Sequence, residues 1–173
     1  TGGGGNDVIT ADASANVGSN ITAGAGNDTI HISADGVLTN IDTIAGGDGD
    51  DTMSFSANST VTDAHFANVS SIKTLTGATN IEFTSLTLGS NAQTTNVSTV
   101  TFAGNAASSL TVANGFTNTL TVNSTAAAGQ SDNIDGSAAA AAIQVVSAAA
   151  NIAAGDTIKG GTGTSDKLTI TAD

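Results

Sequence analysis

Three glycine-rich segments in one register constrain this chain more than anything else in it. Residues 2–10 read GGGGNDVIT, residues 23–31 read AGAGNDTIH, and residues 46–54 read GGDGDDTMS. All three fit the pattern GGxGxDxUx, in which U is a large apolar residue, here Ile9, Ile30 and Met53; Ala23 alone replaces a pattern glycine. Glycines at alternate positions let the backbone take positive φ and turn its carbonyl oxygens toward one point. The Asp closes the turn with a charged oxygen, and the xUx triplet that follows is a short strand with one side chain directed inward. The fourth-position glycines Gly5, Gly26 and Gly49 stand 21 and 23 residues apart, which suits successive coils of a stacked solenoid better than one hairpin. Asp42 and Ile44 precede Asp51 and Met53 by nine residues, so the phase runs back through Asp42. Residues 160–168, GGTGTSDKL, form a fourth and irregular copy with one extra residue before Asp166.

The acidic balance agrees with a cation in these turns. Fourteen Asp and the single Glu82 face only Lys73, Lys159 and Lys167, for a net charge of −12. Asp carries the short carboxylate used in turn-built oxygen cages for a hard cation, and Ca2+ is the expected ion. Stacked turns would bring Asp7, Asp28 and Asp51 close together, where like charges repel unless a cation lies between them. The expected ligands are these three carboxylates with the carbonyls of Gly3, Gly5, Gly24, Gly26, Gly47 and Gly49. Asn6, Asn27, Asp48 and Asp50 are second contributors, and Asp42 joins through its nine-residue phase. The competing reading is a set of merely solvated Gly and Asp turns.

Between residues 57 and 155 the glycine motif gives way to apolar, Thr, apolar triplets, at residues 86–88, 100–102, 110–112, 120–122 and again 168–170, with Leu75 in a similar run. Period two means strands, and Gly or Asn follows most of them to turn the chain. Leu, Ile, Val and Phe make up only about a fifth of the residues, so the core must be thin. The expected architecture is all-β, a parallel β-solenoid of the β-roll or β-helix kind. Three segments compose it: residues 1–56 as glycine-Asp coils, 57–155 as Thr, Ser and Ala-rich coils, and 156–173 as a degenerate glycine-Asp coil. Residues 63–68 (DAHFAN) read as one helical turn. The alanine-rich residues 137–150 stay open between helix and strand, since Ala is the best helix former.

These motifs resemble the RTX nonapeptide family. The resemblance implies a right-handed β-roll with Ca2+ between successive turns and export, commonly by type I secretion. Residues 61–83, the Thr, Ser and Ala-rich filler and the return to GGTGTSDKLTI are further similar to bacterial S-layer proteins. That likeness implies a calcium-dependent, self-assembling lattice, sheath or fibre at the cell surface, whose partners are copies of itself, head-to-tail or lateral, and cell-surface polysaccharide. The alternative is a rigid stalk of a large RTX adhesin.

Other classes are disfavoured. Nucleic acid and anionic membrane need Lys and Arg that this chain lacks, and no apolar run approaches the eighteen residues of a membrane span. Neither a signal-peptide pattern nor an initiating Met is present, so a processed protein or a piece of a longer one is expected. Without Cys there is no thiolate chemistry. His31 and His65 neighbour no nucleophile motif and no zinc-ligand spacing, so no enzyme is expected. The pairs Thr74 and Thr76, Thr119 and Thr121, and Thr169 and Thr171 read as ordinary strand Thr, too irregularly spaced for an ice-binding array. Asn20, Asn27, Asn58, Asn68, Asn96 and Asn123 stand in N-x-Ser/Thr, a frequency that an Asn- and Thr-rich composition itself produces.

Overall fold

A computed structural model of the chain describes residues 1–12, 18–125 and 130–172. Its strands follow one another in short coils. The first coil holds β1 (Gly3–Gly4) and β2 (Val8–Ala11), and the second β3 (Asn20–Ala25) and β4 (Thr29–Ile32). The third holds β5 (Thr43–Asp48), β6 (Thr52–Phe55) and β7 (Ser59–Val61), followed by a 3-10 turn at Asp63–Phe66. The fourth holds β8 (Val69–Ser70), β9 (Thr74–Gly77) and β10 (Phe83–Leu88), and ends in a short helix, α1 (Ser90–Thr95). Next come β11 (Thr99–Phe102) with β12 (Ser109–Val112), β13 (Leu120–Ser124) with β14 (Asn133–Asp135), and β15 (Ile143–Ala148) with β16 (Thr157–Lys159); β17 (Lys167–Thr171) opens a further coil.

These strands form three parallel sheets. One runs β1-β3-β5-β8, one β7-β10-β12-β14-β16, and the longest takes one strand from every coil, β2-β4-β6-β9-β11-β13-β15-β17. The architecture is the all-β solenoid expected from the triplets, and the ladders run without a break across residues 56/57 and 155/156. The three expected segments are therefore parts of one stack.

Register explains why so thin a core suffices. Down the long sheet, Ile9, Ile30, Met53, Leu75, Val100, Val122, Val145 and Leu168 are direct neighbours, one per coil. From Ile30 to Val145 every member of this column is buried. On the facing sheet Leu86, Leu110 and Ile134 form a second column. Inside the core Phe55 meets Phe83 edge to face and Phe83 meets Phe102 at a tilt, with ring centroids 5.2 Å and 6.4 Å apart. Each residue buries its side chain against neighbours directly above and below, so a few apolar residues per coil make a continuous core.

The two open points resolve locally. Residues 63–66 are a single 3-10 turn with Phe66 buried. The alanine-rich stretch does not become a long helix: turns precede β15, and a 3-10 turn, Ala149–Asn151, follows it. Pairing of β15 with β13 and β17 on both sides outweighs the helix propensity of Ala. Helix α1 has no counterpart in the sequence reading.

Candidate metal centre

The three glycine-Asp turns lie directly on top of one another. Gly3 is in register with Gly24 and Gly24 with Gly47, between β1, β3 and β5, and the chain then turns through Gly5, Gly26 and Gly49 into the long sheet. Positive φ holds at Gly24 (127°) and Gly47 (111°). A β-carbon at Gly24 would stand 2.1 Å from the Gly3 carbonyl oxygen, and one at Gly47 would stand 1.9 Å from that of Gly24. Backbone therefore approaches backbone too closely for any side chain, and the carbonyls of one turn face the next.

The Asp residues form a ladder through this stack. The Asp7 N–H donates to Asp28 Oδ1 at 2.8 Å, and the Asp28 N–H donates to Asp51 Oδ1 at 2.9 Å. Asp28 and Asp51 are each 1 % exposed. The second oxygens, Asp7 Oδ2, Asp28 Oδ2 and Asp51 Oδ2, are buried and have no hydrogen-bond partner. Those of Asp7 and Asp51 fold back over Gly2 and Gly46, within 2.4 Å of where a β-carbon there would be. Burial pushes the Asp51 carboxyl up, and the charges of Asp28, Asp50 and Asp48 push it further, against the Asp28 N–H bond that holds it down.

A buried carboxylate oxygen with no donor is costly, and here three of them stack at about the 4.8 Å spacing of neighbouring strands. A divalent cation between turns would relieve both the desolvation and the repulsion. No three acidic or imidazole side chains converge on one point among the described residues. Such a cation would thus need backbone carbonyls beside the Asp oxygens, and those of Gly3, Gly5, Gly24, Gly26, Gly47 and Gly49 are the candidates that the sequence offers.

The remaining candidates are placed differently. Asn6 Oδ1 accepts the Asn27 N–H at 2.8 Å and Asn27 Oδ1 accepts the Asp50 N–H at 2.9 Å, an exposed ladder beside the buried one. Asp48 ends β5, exposed, and its carbonyl accepts the Gly26 N–H. Asp50 pairs with Lys73 at 2.6 Å. Lys73 precedes β9 as Asp51 precedes β6, so in the next coil an ammonium follows the row of acids. Asp42 is not brought to the stack. It precedes β5 at the far end of that strand, and its oxygens are filled by the N–H of Ser19 at 2.6 Å and the N–H and hydroxyl of Thr39 at 2.6 and 2.9 Å.

Two arrangements escaped the sequence reading. Asp166, in the irregular fourth copy, accepts the Ile143 N–H at 2.8 Å, and its Oδ2 folds over Gly160 as those of Asp7 and Asp51 fold over Gly2 and Gly46. A second acidic ladder precedes the strands of the five-stranded sheet: Ser108 N–H to Asp132 Oδ1 at 2.8 Å, and Asp132 N–H to Asp156 Oδ1 at 2.9 Å. Glu82 Oε1 accepts two N–H groups, of Asn105 and Ala106, in the same region. These carboxylates are satisfied by protein donors, unlike the glycine-Asp row. No helix of the described residues is long and apolar enough to cross a membrane. Comparison with known protein families, with curated proteins and with solved structures finds no match.

Proposed function

We propose that this chain is a calcium-stiffened structural element of a bacterial cell surface, an RTX-type building block that assembles with copies of itself into a lattice, sheath or fibre. The observation that carries the proposal is the column of buried Asp7, Asp28 and Asp51 oxygens with no donor, beside stacked glycine turns whose carbonyls each face the next turn. Calcium fits this donor set: oxygen ligands only, several of them carbonyls, at flexible geometry. An extracellular-type site with Kd of about 10⁻⁴ M in about 1 mM calcium stabilises the fold by roughly 1.4 kcal/mol. Two or three such sites supply a large share of the 5–15 kcal/mol that typically holds a domain together.

The sheet edges are compatible with self-association. Strands β2 and β17 are each paired on one side only in the long sheet, and Val8, Leu168 and Ile170 on them are exposed. A further coil, from this chain or another copy, would cover them. The unbroken parallel ladder equally favours a rigid stalk that holds an adhesin tip away from the cell. Circular dichroism and light scattering during a calcium titration, with magnesium as control, test the whole reading. Calcium-specific gain of β signal with scattering supports the assembling protein, and gain without scattering supports the stalk. A folded, calcium-insensitive monomer overturns both.

A further inference from the structure

The outer face of the long sheet carries a pattern that the sequence spacing hides. Thr29, Thr52, Thr74, Thr99 and Thr121 are direct neighbours on consecutive strands, five Thr in one unbroken column. Two residues further along each strand runs a parallel column: Thr10, His31, Ser54, Thr76, Thr101 and Asn123. The irregular spacing that argued against an array is a property of the loops. Loop lengths vary, while the strands stay in register.

This face differs in two ways from the rest of the surface. From Thr29 to Asn123 its two columns carry no Asp, Glu or Lys, in a chain of net charge −12. The five-stranded sheet, by contrast, shows the Asp135–Lys159 pair at 2.8 Å. The five column hydroxyls make no hydrogen bond within the described residues, although each residue is half-buried. At its ends the five-Thr column runs into exposed Val8 on one side and into Gln144 and Lys167 on the other, so the uncharged hydroxyl face is confined to these five coils.

Those features narrow the partner. An ionic polymer has no charge to meet here. A polysaccharide would have no Trp, Tyr or Phe ring to stack on, since the chain has no Trp or Tyr and all five Phe are buried. A protein partner would lack the buried aromatic or apolar anchors that dominate such interfaces. What the face offers is a repeating hydroxyl and methyl, with χ1 restricted by β-branching. Its repeat is the strand spacing of about 4.8 Å. In a tetrahedral water lattice with O–H···O distances of about 2.75 Å, next-nearest oxygens stand about 4.5 Å apart. The mismatch of about 0.3 Å per coil accumulates to only about 1.2 Å over the five Thr.

We infer that the outer face of the long sheet, centred on Thr52, Thr74 and Thr99, is a docking surface for crystalline water. The inference does not rest on the calcium reading, because it needs only the folded sheet. It is tested by partition of the protein into slowly growing ice and by thermal hysteresis, in buffer where circular dichroism shows the chain folded. The folded protein is expected to enter the ice and to facet the crystals. Thr74→Lys and Thr99→Lys should each cut the ice-bound fraction by about tenfold or more, as when a bulky charge lifts a whole contact row. Thr111→Lys, exposed on the five-stranded sheet, should leave it unchanged. Should a Lys variant lose its β signal, Thr99→Ser replaces it, keeping the hydroxyl and removing the methyl; it too should lower the ice-bound fraction. Exclusion of the folded wild-type chain from ice overturns the inference, as do equal losses at Thr99 and Thr111 or retention by an insoluble polysaccharide instead.

Discussion

The Asp28 N–H donates to Asp51 Oδ1 at 2.9 Å while Asp51 Oδ2, buried in the same turn, has no donor. One oxygen therefore holds the coils together, and the other is the one a cation would meet under the calcium proposal. Asp51→Asn retains the first and removes the charge behind the second. In chelator the variant should match or exceed the wild type in urea midpoint, because a desolvated and repelled carboxylate is gone. In about 1 mM calcium it should fall below the wild type, by about 1.4 kcal/mol for each site that depends on Asp51. A difference between variant and wild type that calcium leaves unchanged would exclude a cation at this turn.

Glycine positions in the stack separate by coil. Gly47 has φ of 111° and no space for a β-carbon, whereas a β-carbon at Gly3 would meet nothing within 4 Å. Gly47→Ala should cost more than about 2 kcal/mol, from the left-handed backbone and the collision with the Gly24 carbonyl. Gly3→Ala should stay within about 0.5 kcal/mol. Urea denaturation of the two variants side by side checks the contrast.

What the sequence made legible were features confined to a few neighbouring residues. The triplets around Leu88, Val100, Leu110 and Val122 announce their strands by period two, and the glycine-Asp turns announce their own stacking by shared register. Relations between coils stayed hidden, because partners lie 21 to 29 residues apart and the interval varies. Asp166 looked out of phase by one residue, yet the turn absorbs the insertion and returns its carboxylate to the same place. Asp42 keeps the nine-residue spacing to Asp51, but that spacing carries it to the opposite end of β5, where Thr39 and Ser19 fill its oxygens. The Thr column shares the cause: its members are adjacent in space only because loops of unequal length close onto strands of equal register.

Helix α1 was illegible for the same reason, since its cap comes from another coil. Asp63, in the 3-10 turn below, accepts the N–H groups of Gly89 at 2.7 Å, Asn91 at 3.1 Å and Ala92 at 3.0 Å. A six-residue helix is too short to persist alone, so its first turn depends on this carboxylate. Asp63→Ala should cost about 1–2 kcal/mol. Amide hydrogen exchange should speed up at Asn91 and Ala92 before it does in β11. Equal protection in variant and wild type would show that packing alone holds the helix.

The second acidic ladder gives a pH dependence whose sign is fixed by burial. Asp132 is 5 % exposed; Ser108 N–H donates to its Oδ1 and the Ser124 hydroxyl to its Oδ2 at 3.2 Å. Burial raises its pKa above the ordinary 3.8, Asp156 adds to the rise, and the two hydrogen bonds only partly offset it. The folded state thus holds this proton more tightly than the unfolded chain does. Stability linked to Asp132 is complete below pH 3.8 and is lost as pH rises through the raised folded value. At pH 7 the ionised carboxylate therefore works against the fold. Asp132→Asn keeps the acceptor for Ser108 and turns the other contact into an amide donating to the Ser124 oxygen. It should raise the urea midpoint at pH 7, and its advantage over the wild type should shrink as pH falls toward 4. An advantage independent of pH would mean that hydrogen-bond geometry, and not the buried charge, sets the stability of this turn.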